Sequence, residues 1–565
     1  MNVFTQIEAQ LQSVLAEILP TINLADFAIA VEPPRSGAHG DMATNAAMVL
    51  AKTAKMPPRQ LAEAIAEKLE AVADITATQV AGPGFVNITL APAFWQQHIK
   101  VITEAGADYG RGTDKQQKIN IEYVSANPTG PMHVGHARGA VLGDVLANLL
   151  ATAGYDITRE YYINDAGGQI NVLAQSVLLR AQGRQVPEGL YPSDYIIPIG
   201  QTLAAQTDFE AQDEATQIMS AKQVALPIIM DMIKDDLAAL GIRHDVFSSE
   251  QSLHDRNMID ETLAQLEGQG LIYQGILEAP KGKPPSPEDR EDWEEREQTL
   301  FRSTKFGDDS DRALKKSNGD WTYFAADIAY HFDKYQRGFT HQINIWGADH
   351  AGYIKRMKAA VEAITKGEAQ LDVRTCNLVK LLRDGQPVKM SKRSGEFITL
   401  REVVDEVGKD AVRFMMLTRK NDAPLDFDFA QVKDKSRDNP IFYVQYANAR
   451  ICSVLDKAGE TGTANYTRLQ DVAELALIRK LANYPRIMAA AAEALEPHRI
   501  AFYLLDVAAA FHSLWNKGKD NPDLRFVMEN DKALTADRLA LLVATQQVLH
   551  CGMGVIGIEP QAEMR

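Results

Sequence analysis

Apolar residues recur at helical spacing in FTQIEAQLQSVLAEIL (4–19) and PPRQLAEAIAEKLEAV (57–72), while GFVNITLA (84–91) alternates as a half-buried strand does. These patterns predict a small α/β or α+β domain over residues 1–112, closed by the polar linker GRGTDKQQK (110–118). Beyond the linker, INIEYVSA (119–126) reads as a buried strand, and an Asn-Pro-Thr-Gly-Pro loop leads from it into a helix over 133–153. Val134, Ala137, Val141 and Val145 share one face of that helix, and Gly154 fits the position just past its end. Strand followed by helix repeats in DITREYYIND (156–165) and GGQINVLAQSVLLRAQG (167–183). It returns much later in HQINIWGADH (341–350) and GYIKRMKAAVEAI (352–364).

That alternation predicts an α/β domain with a doubly wound parallel sheet of Rossmann type. Between about 183 and 319 the pattern loosens. Helices are expected at 211–240 and 256–269, and APKGKPPSPEDREDWEEREQTL (279–300) reads as a solvated, charged excursion. The whole stretch is expected to be an insertion that splits the sheet. After 400 helical spacing dominates, in 441–458, 471–495, 499–516 and 536–552, which predicts an α-helical bundle. The expected division is therefore 1–112, 113–400 and 401–565.

At 565 residues the chain is too long for a single core. No 18-residue apolar run stands out, and the first residues lack the basic-then-apolar pattern of a signal peptide. The three cysteines, Cys376, Cys452 and Cys551, lie far apart with no CxxC, so a reducing, cytoplasmic setting without disulfides or a cysteine zinc site is expected. A net charge of −16 looks unfavourable for a nucleic-acid partner, but local basic surfaces bind phosphates on acidic proteins too. Charge leaves that question open.

Candidate chemistry concentrates in SANPTGPMHVGHARGAVLGD (125–144). His133 and His136, three apart at a helix start, share a face beside unpaired backbone N–H groups and the positive dipole end, an arrangement suited to phosphate. Gly135 between them lets a flat group approach the backbone. Alone, the pair also suits a buried or surface histidine pair, or a metal site, although the HExxH spacing of zinc hydrolases is absent. A second motif shifts the balance. PVKMSKRSGEFITL (387–400) carries Lys389, Met390, Ser391 and Lys392, which alone would be a solvated basic loop. Facing a phosphate site, such lysines would stabilise a departing pyrophosphate.

The two motifs in this order resemble the HIGH and KMSKS signatures of class I aminoacyl-tRNA synthetases. EYVSANPTGPMHVGHARGAVLGD, REYYINDAGGQI, YFAADIAYH, NPIFYVQYANARI and the terminal GIEPQAEM are similar to the arginyl-tRNA synthetase family, as is the N-terminal region with SGAHGDMATNAA and AGPGFVNITL. The resemblance implies activation of L-arginine by ATP with Mg²⁺, and transfer to tRNA(Arg). It assigns Glu122, Asn127, His133, Tyr323 and Asp327 to arginine. A guanidinium is a planar fork of donors that carboxylates hold well, and Tyr323 and Asp327 stand at i and i+4. It assigns His133, Gly135, His136, Gly347, Asp349, Met390, Ser391 and Lys392 to ATP, with His133, His136, Lys389 and Lys392 catalytic. No dedicated protein metal site is inferred.

Tyr446, Asn448 and Arg450 in the bundle are tRNA-contact candidates, and the N-terminal domain is expected to touch the tRNA elbow. A monomer that activates arginine only with tRNA bound is expected. Two departures from the family pattern stand out: Lys392 is kept where some members lack it, and Ala348 stands where some carry glutamine. Rival readings are a glutamyl- or cysteinyl-type enzyme and an inactive RNA-binding scaffold. A glutamyl pocket would want basic residues at 122 and 327, a cysteinyl one a cysteine-rich zinc site, and a scaffold no intact histidines and lysine.

Overall fold

The computed structural model describes residues 2–34, 39–207, 209–211, 213–277, 296–388, 398–459 and 461–564. By packing, the chain forms two units, Met1–Thr113 with Lys435–Arg565, and Asp114–Asp434.

The second unit is built on five parallel strands: β1 (Lys118–Glu122), β2 (Asp156–Ile163), β3 (Val246–Ser249), β4 (His341–Gly347) and β5 (Gln370–Cys376). Their order is β5-β4-β1-β2-β3. Helices α1 (Val134–Thr152), α2 (Glu214–Ala239), α3 (Tyr323–Gln336) and α4 (Ile354–Ile364) belong to the crossovers and connections that such parallel neighbours require. The chain runs from β1 outward to β2 and β3, then returns to lay β4 on the other side of β1. The strand order thus reverses between β1 and β4, and a crevice opens beyond their carboxyl ends, the usual ligand position in such sheets.

Two sequence expectations change here. The 183–319 stretch, expected as an insertion that splits the sheet, also supplies one of its strands, because β3 within it pairs with β2. Strand β1 also stops at Glu122 rather than running to Ala126. Val124 and Ser125 take positive φ angles of 71° and 40°, which end the extended run; for a β-branched residue this is a strained conformation. The fold holds it in place from both sides. The fully buried Tyr123 lies under α1, where a Cβ on Gly143 would stand 2.2 Å from its ring, and Ser125 is tied by its hydroxyl.

Helix α1 forms as the spacing predicts, with Val134, Ala137, Val141 and Val145 fully enclosed and Gly154 at φ +99° beyond its end. Its first turn is anchored by the buried Arg138, which donates to the carbonyls of Asn377, Lys420 and Ala423. Further along, Asp144 accepts from the buried Arg413 at 2.5 Å.

The first unit contains a four-stranded antiparallel sheet, in the order Val31–Glu32, Met42–Thr44, Phe85–Leu90, Ile75–Ala81. It also holds the helices Pro440–Lys457, Val472–Ala482, Tyr484–Ala494, His498–Asp520 and Lys532–Ile556. The single helix expected over 471–495 is broken at Asn483, where Pro485 enters the first turn of the next helix and cannot donate to a continuing one. Lys532–Ile556 is long and apolar enough in composition to cross a membrane, contrary to the expectation that no such run is present. Here it is a core helix, with Leu541, Leu542, Val548 and Leu549 fully enclosed by neighbouring helices.

Candidate active site

The loop after β1 brings the first motif to the crevice. His133 caps α1: its Nδ1 accepts from the Gly135 N–H at 3.0 Å, and the His136 Nδ1 accepts from the His133 N–H at 3.4 Å. The rings stack with centroids 3.9 Å apart. With each Nδ1 an acceptor, the proton of a neutral imidazole must sit on Nε2, so both rings present Nε2–H donors. A Cβ on Gly135 would lie 2.7 Å from the His133 ring, so the packing need for glycine comes from His133 itself.

The peptide before His133 is gripped on both sides. The Met132 N–H donates to Asp236 of α2 at 3.0 Å, and the Met132 carbonyl accepts from the Leu400 N–H at 2.8 Å. His133 also bridges Thr399, and the Val134 N–H reaches the Ile398 carbonyl at 3.4 Å. Asp236 lies 3.7 Å from Arg401. The chain just after the second motif is therefore hydrogen-bonded to the turn that carries the first. Lys389, Met390, Ser391 and Lys392 themselves lie outside the described residues.

Across the crevice, Gly347 ends β4, and the exposed Asp349 turns back over it, one carboxylate oxygen standing 2.2 Å from where a Gly347 Cβ would be. Asn127 is exposed and donates to Gln169 at 3.0 Å.

Beneath the crevice lies a cluster of carboxylates. Glu122 accepts from Ser125 at 3.0 Å and from Lys334 at 2.7 Å, and Lys334 is 0% exposed. Asp327 accepts from the Tyr353 hydroxyl at 2.7 Å; burial, with the Glu122 charge adding to it, pushes its carboxyl up to about 7. Glu250, just after β3, is also pushed up to about 7, by burial and then by the charges of Asp327 and Asp165. Its Oε2 is buried with no hydrogen-bond partner among the described residues, as is the Tyr162 hydroxyl. Burial and the surrounding Glu250, Asp327, Glu122 and Asp165 drive the Tyr162 phenol far above its ordinary value. Tyr323 stands at the mouth, half exposed, with Lys316 over its ring at 4.7 Å. Glu122 is paired with Lys334, whereas Asp327 and Glu250 are raised by burial and by neighbouring carboxylate charge, a balance that a planar, multiply donating cation would shift toward the ionised forms.

Three family models match the chain: "Arginyl tRNA synthetase N terminal domain" over 5–90, "tRNA synthetases class I (R), catalytic domain" over 98–189, and "DALR anticodon binding domain" over 444–564. A curated arginine–tRNA ligase of Parvibaculum lavamentivorans is 56% identical over the full length of both chains. The chain belongs to the arginyl-tRNA synthetase family. A second arginine–tRNA ligase, from Rhodopseudomonas palustris, is 54% identical over 95% of this chain and 94% of its own. The arginyl-tRNA synthetase of Thermus thermophilus shares the fold, with a TM-score of 0.72 and 21% identity over 99% of this chain and 100% of its own.

Of the family-assigned arginine residues, Glu122 and Asp327 fall in one carboxylate cluster, with Tyr323 on the helix of Asp327. In the bundle, Tyr446 is 38% exposed and Arg450 lies over its ring at 4.2 Å and over Trp515 at 4.6 Å. Asn448 is different. It is 1% exposed, donates to the Gln561 carbonyl at 2.8 Å, and meets His550 at 2.8 Å, so it ties the bundle internally instead of facing a ligand. Glu250, Tyr162 and Lys334 also belong to the cluster without being expected from the sequence. Of these only Lys334 left a local signal, since it follows Asp327 by seven residues and so shares its helix face.

Proposed function

We propose that this chain is an arginine–tRNA ligase that activates L-arginine with ATP and transfers it to the 3′ end of tRNA(Arg), releasing AMP and pyrophosphate. The carboxylate cluster of Glu122, Asp327 and Glu250 carries this reading. Burial raises Asp327 and Glu250 toward protonation and a bound guanidinium would favour their ionised forms, while a neutral side chain would leave these acceptors unpaired, a basis for ~10⁴-fold rejection without editing. Glu122 and Asp327 hold the guanidinium, Tyr323 covers it, and Asn127 orients the α-amino and carboxylate groups.

The arginine carboxylate attacks the α-phosphorus in line, and pyrophosphate leaves. His133 and His136 direct Nε2–H donors at the phosphoryl oxygens, where charge builds. Gly135 lies against the nucleotide base, Gly347 and Asp349 beside its ribose, and Met390 and Ser391 beside its phosphates. Lys392, supported by Lys389, neutralises the leaving pyrophosphate. The terminal ribose hydroxyl of tRNA then attacks the activated carbonyl, and AMP departs. Positioning and electrostatics suffice, with no covalent enzyme intermediate. Mg²⁺ would enter with the triphosphate, because the histidine turn offers nitrogen donors and Mg²⁺ takes oxygen ones.

Tyr446 and Arg450 form an aromatic and cationic face fit to stack on tRNA bases, and the 5–90 region would reach the tRNA elbow. We place the enzyme in the cytoplasm as a monomer. ATP–pyrophosphate exchange across the twenty amino acids, with and without tRNA(Arg), is the test. Exchange is expected with arginine alone, and only when tRNA(Arg) is present. Exchange driven by another amino acid overturns the substrate, and exchange without tRNA overturns the tRNA requirement.

A further inference from the structure

The carboxylate expected to take the guanidinium already holds a cation. Lys334 donates to Glu122 Oε2 at 2.7 Å from a fully buried position, with its Nζ over the Tyr330 ring at 4.3 Å. A lone buried ammonium costs several kcal/mol even after relaxation, so its surroundings must hold it closely. Its second partner is Asn344 Oδ1 at 3.4 Å, and Asn344 is the residue of β4 in register with Glu122 of β1.

The orientation of the Asn344 amide follows from its neighbour. His331 Nδ1 lies 2.8 Å from the backbone carbonyl of Asp327, which only accepts, so Nδ1 carries the proton. Burial, then the Lys334 charge, lowers the ring to about 3, so His331 is neutral and its Nε2 is an acceptor. Asn344 Nδ2 stands 3.0 Å from that Nε2 and must donate to it, which turns Oδ1 toward Lys334. Each contact thereby has one polarity. The chain runs from the Asp327 carbonyl through His331, Asn344 and Lys334 to Glu122, and Ser125 fixes the other oxygen of Glu122.

We propose that Lys334, set by Asn344 and the Nδ1–H tautomer of His331, is a positioning residue for substrate recognition. This relay fixes Glu122 on β1 relative to Asp327 on α3, and so sets the spacing of the two carboxylates that grip the guanidinium. The proposal rests on the arginine reading above. Lys334 does not touch substrate; it occupies Glu122 Oε2 and leaves Oε1, beside Ser125, as the oxygen that turns to the ligand.

The test is ATP–pyrophosphate exchange with tRNA(Arg) present, measuring KM for arginine, KM for ATP and kcat in wild type, Lys334→Met and Asn344→Leu. Lys334→Met is expected to raise KM for arginine ~10-fold or more while KM for ATP stays within about twofold, because the histidine turn does not use the relay. Asn344→Leu, which adds no charge and keeps the volume, is expected to move KM for arginine the same way by a smaller factor. It serves alone if Lys334→Met does not fold. Equal changes in both KM values, or a loss of kcat with KM for arginine unchanged, would overturn the relay while leaving the arginine reading intact. A wild type without arginine-dependent exchange overturns both.

Discussion

At the scale of single residues, the carboxylate cluster makes a pH signature. Asp327 and Glu250 both sit near 7 in the folded protein, far above an ordinary carboxyl, chiefly through burial. Below about pH 4 they are protonated folded or unfolded, and the raised values cost nothing. As pH rises to 7 the unfolded chain ionises first, so the ligand-free fold loses stability across roughly pH 4–7. A bound cation reverses this, because it favours the ionised forms. KM for arginine is accordingly expected to rise ~10-fold per carboxylate as pH falls from 8 to 6, while KM for ATP changes little. Steady-state exchange across that range checks it, and a flat arginine profile would remove both groups from recognition. None of this was visible in the sequence, where Glu250 is one acidic residue among many. Its burial arises only when β3 joins the sheet edge.

At the scale of elements, long periodic segments were legible and short or context-dependent ones were not. Helix α1, its apolar face and its glycine stop follow from spacing alone. Strand β3 is four residues, VFSS, too short to alternate convincingly, and it is a strand because β2 offers it a ladder. The overrun of β1 has the opposite cause: YVSA keeps an apolar strand-like pattern, yet Tyr123 beneath α1 and the Ser125 hydroxyl impose a turn. The placing of the two histidines at the start of a helix was legible in the sequence, but the tie of this turn to the 398–400 segment spans more than 260 positions, and no local pattern reports that. The tight fit of α1 on the turn is testable. Gly143→Ala adds a methyl where the Tyr123 ring already stands, and should lower unfolding free energy by about 1–3 kcal/mol. Urea titration measures this, and an unchanged midpoint would mean that Tyr123 can move aside.

At the scale of the whole molecule, the candidate active site and the region matching the anticodon-binding model fall to different packing units. A chain of net charge −16 repels a polyanion at long range, so tRNA affinity must come from local faces, for which Tyr446 and Arg450 are the candidates proposed above. Base–aromatic stacking contributes ~1–3 kcal/mol per base, so Tyr446→Ala should raise KM for tRNA(Arg) roughly tenfold. KM for arginine and for ATP, measured at saturating tRNA, should stay as in wild type. A rise in KM for arginine instead would place Tyr446 in a structural role.

The contact of Gly143 with Tyr123 reaches beyond stability. The aromatic ring fills the volume that any side chain at 143 would claim, so neither position can drift alone. Among descendants of this chain the two should be inherited as a pair, a larger residue at 143 appearing only where 123 has shrunk. Mutational reach at the carboxyl end of β1 is narrowed by a glycine inside the helix that follows it.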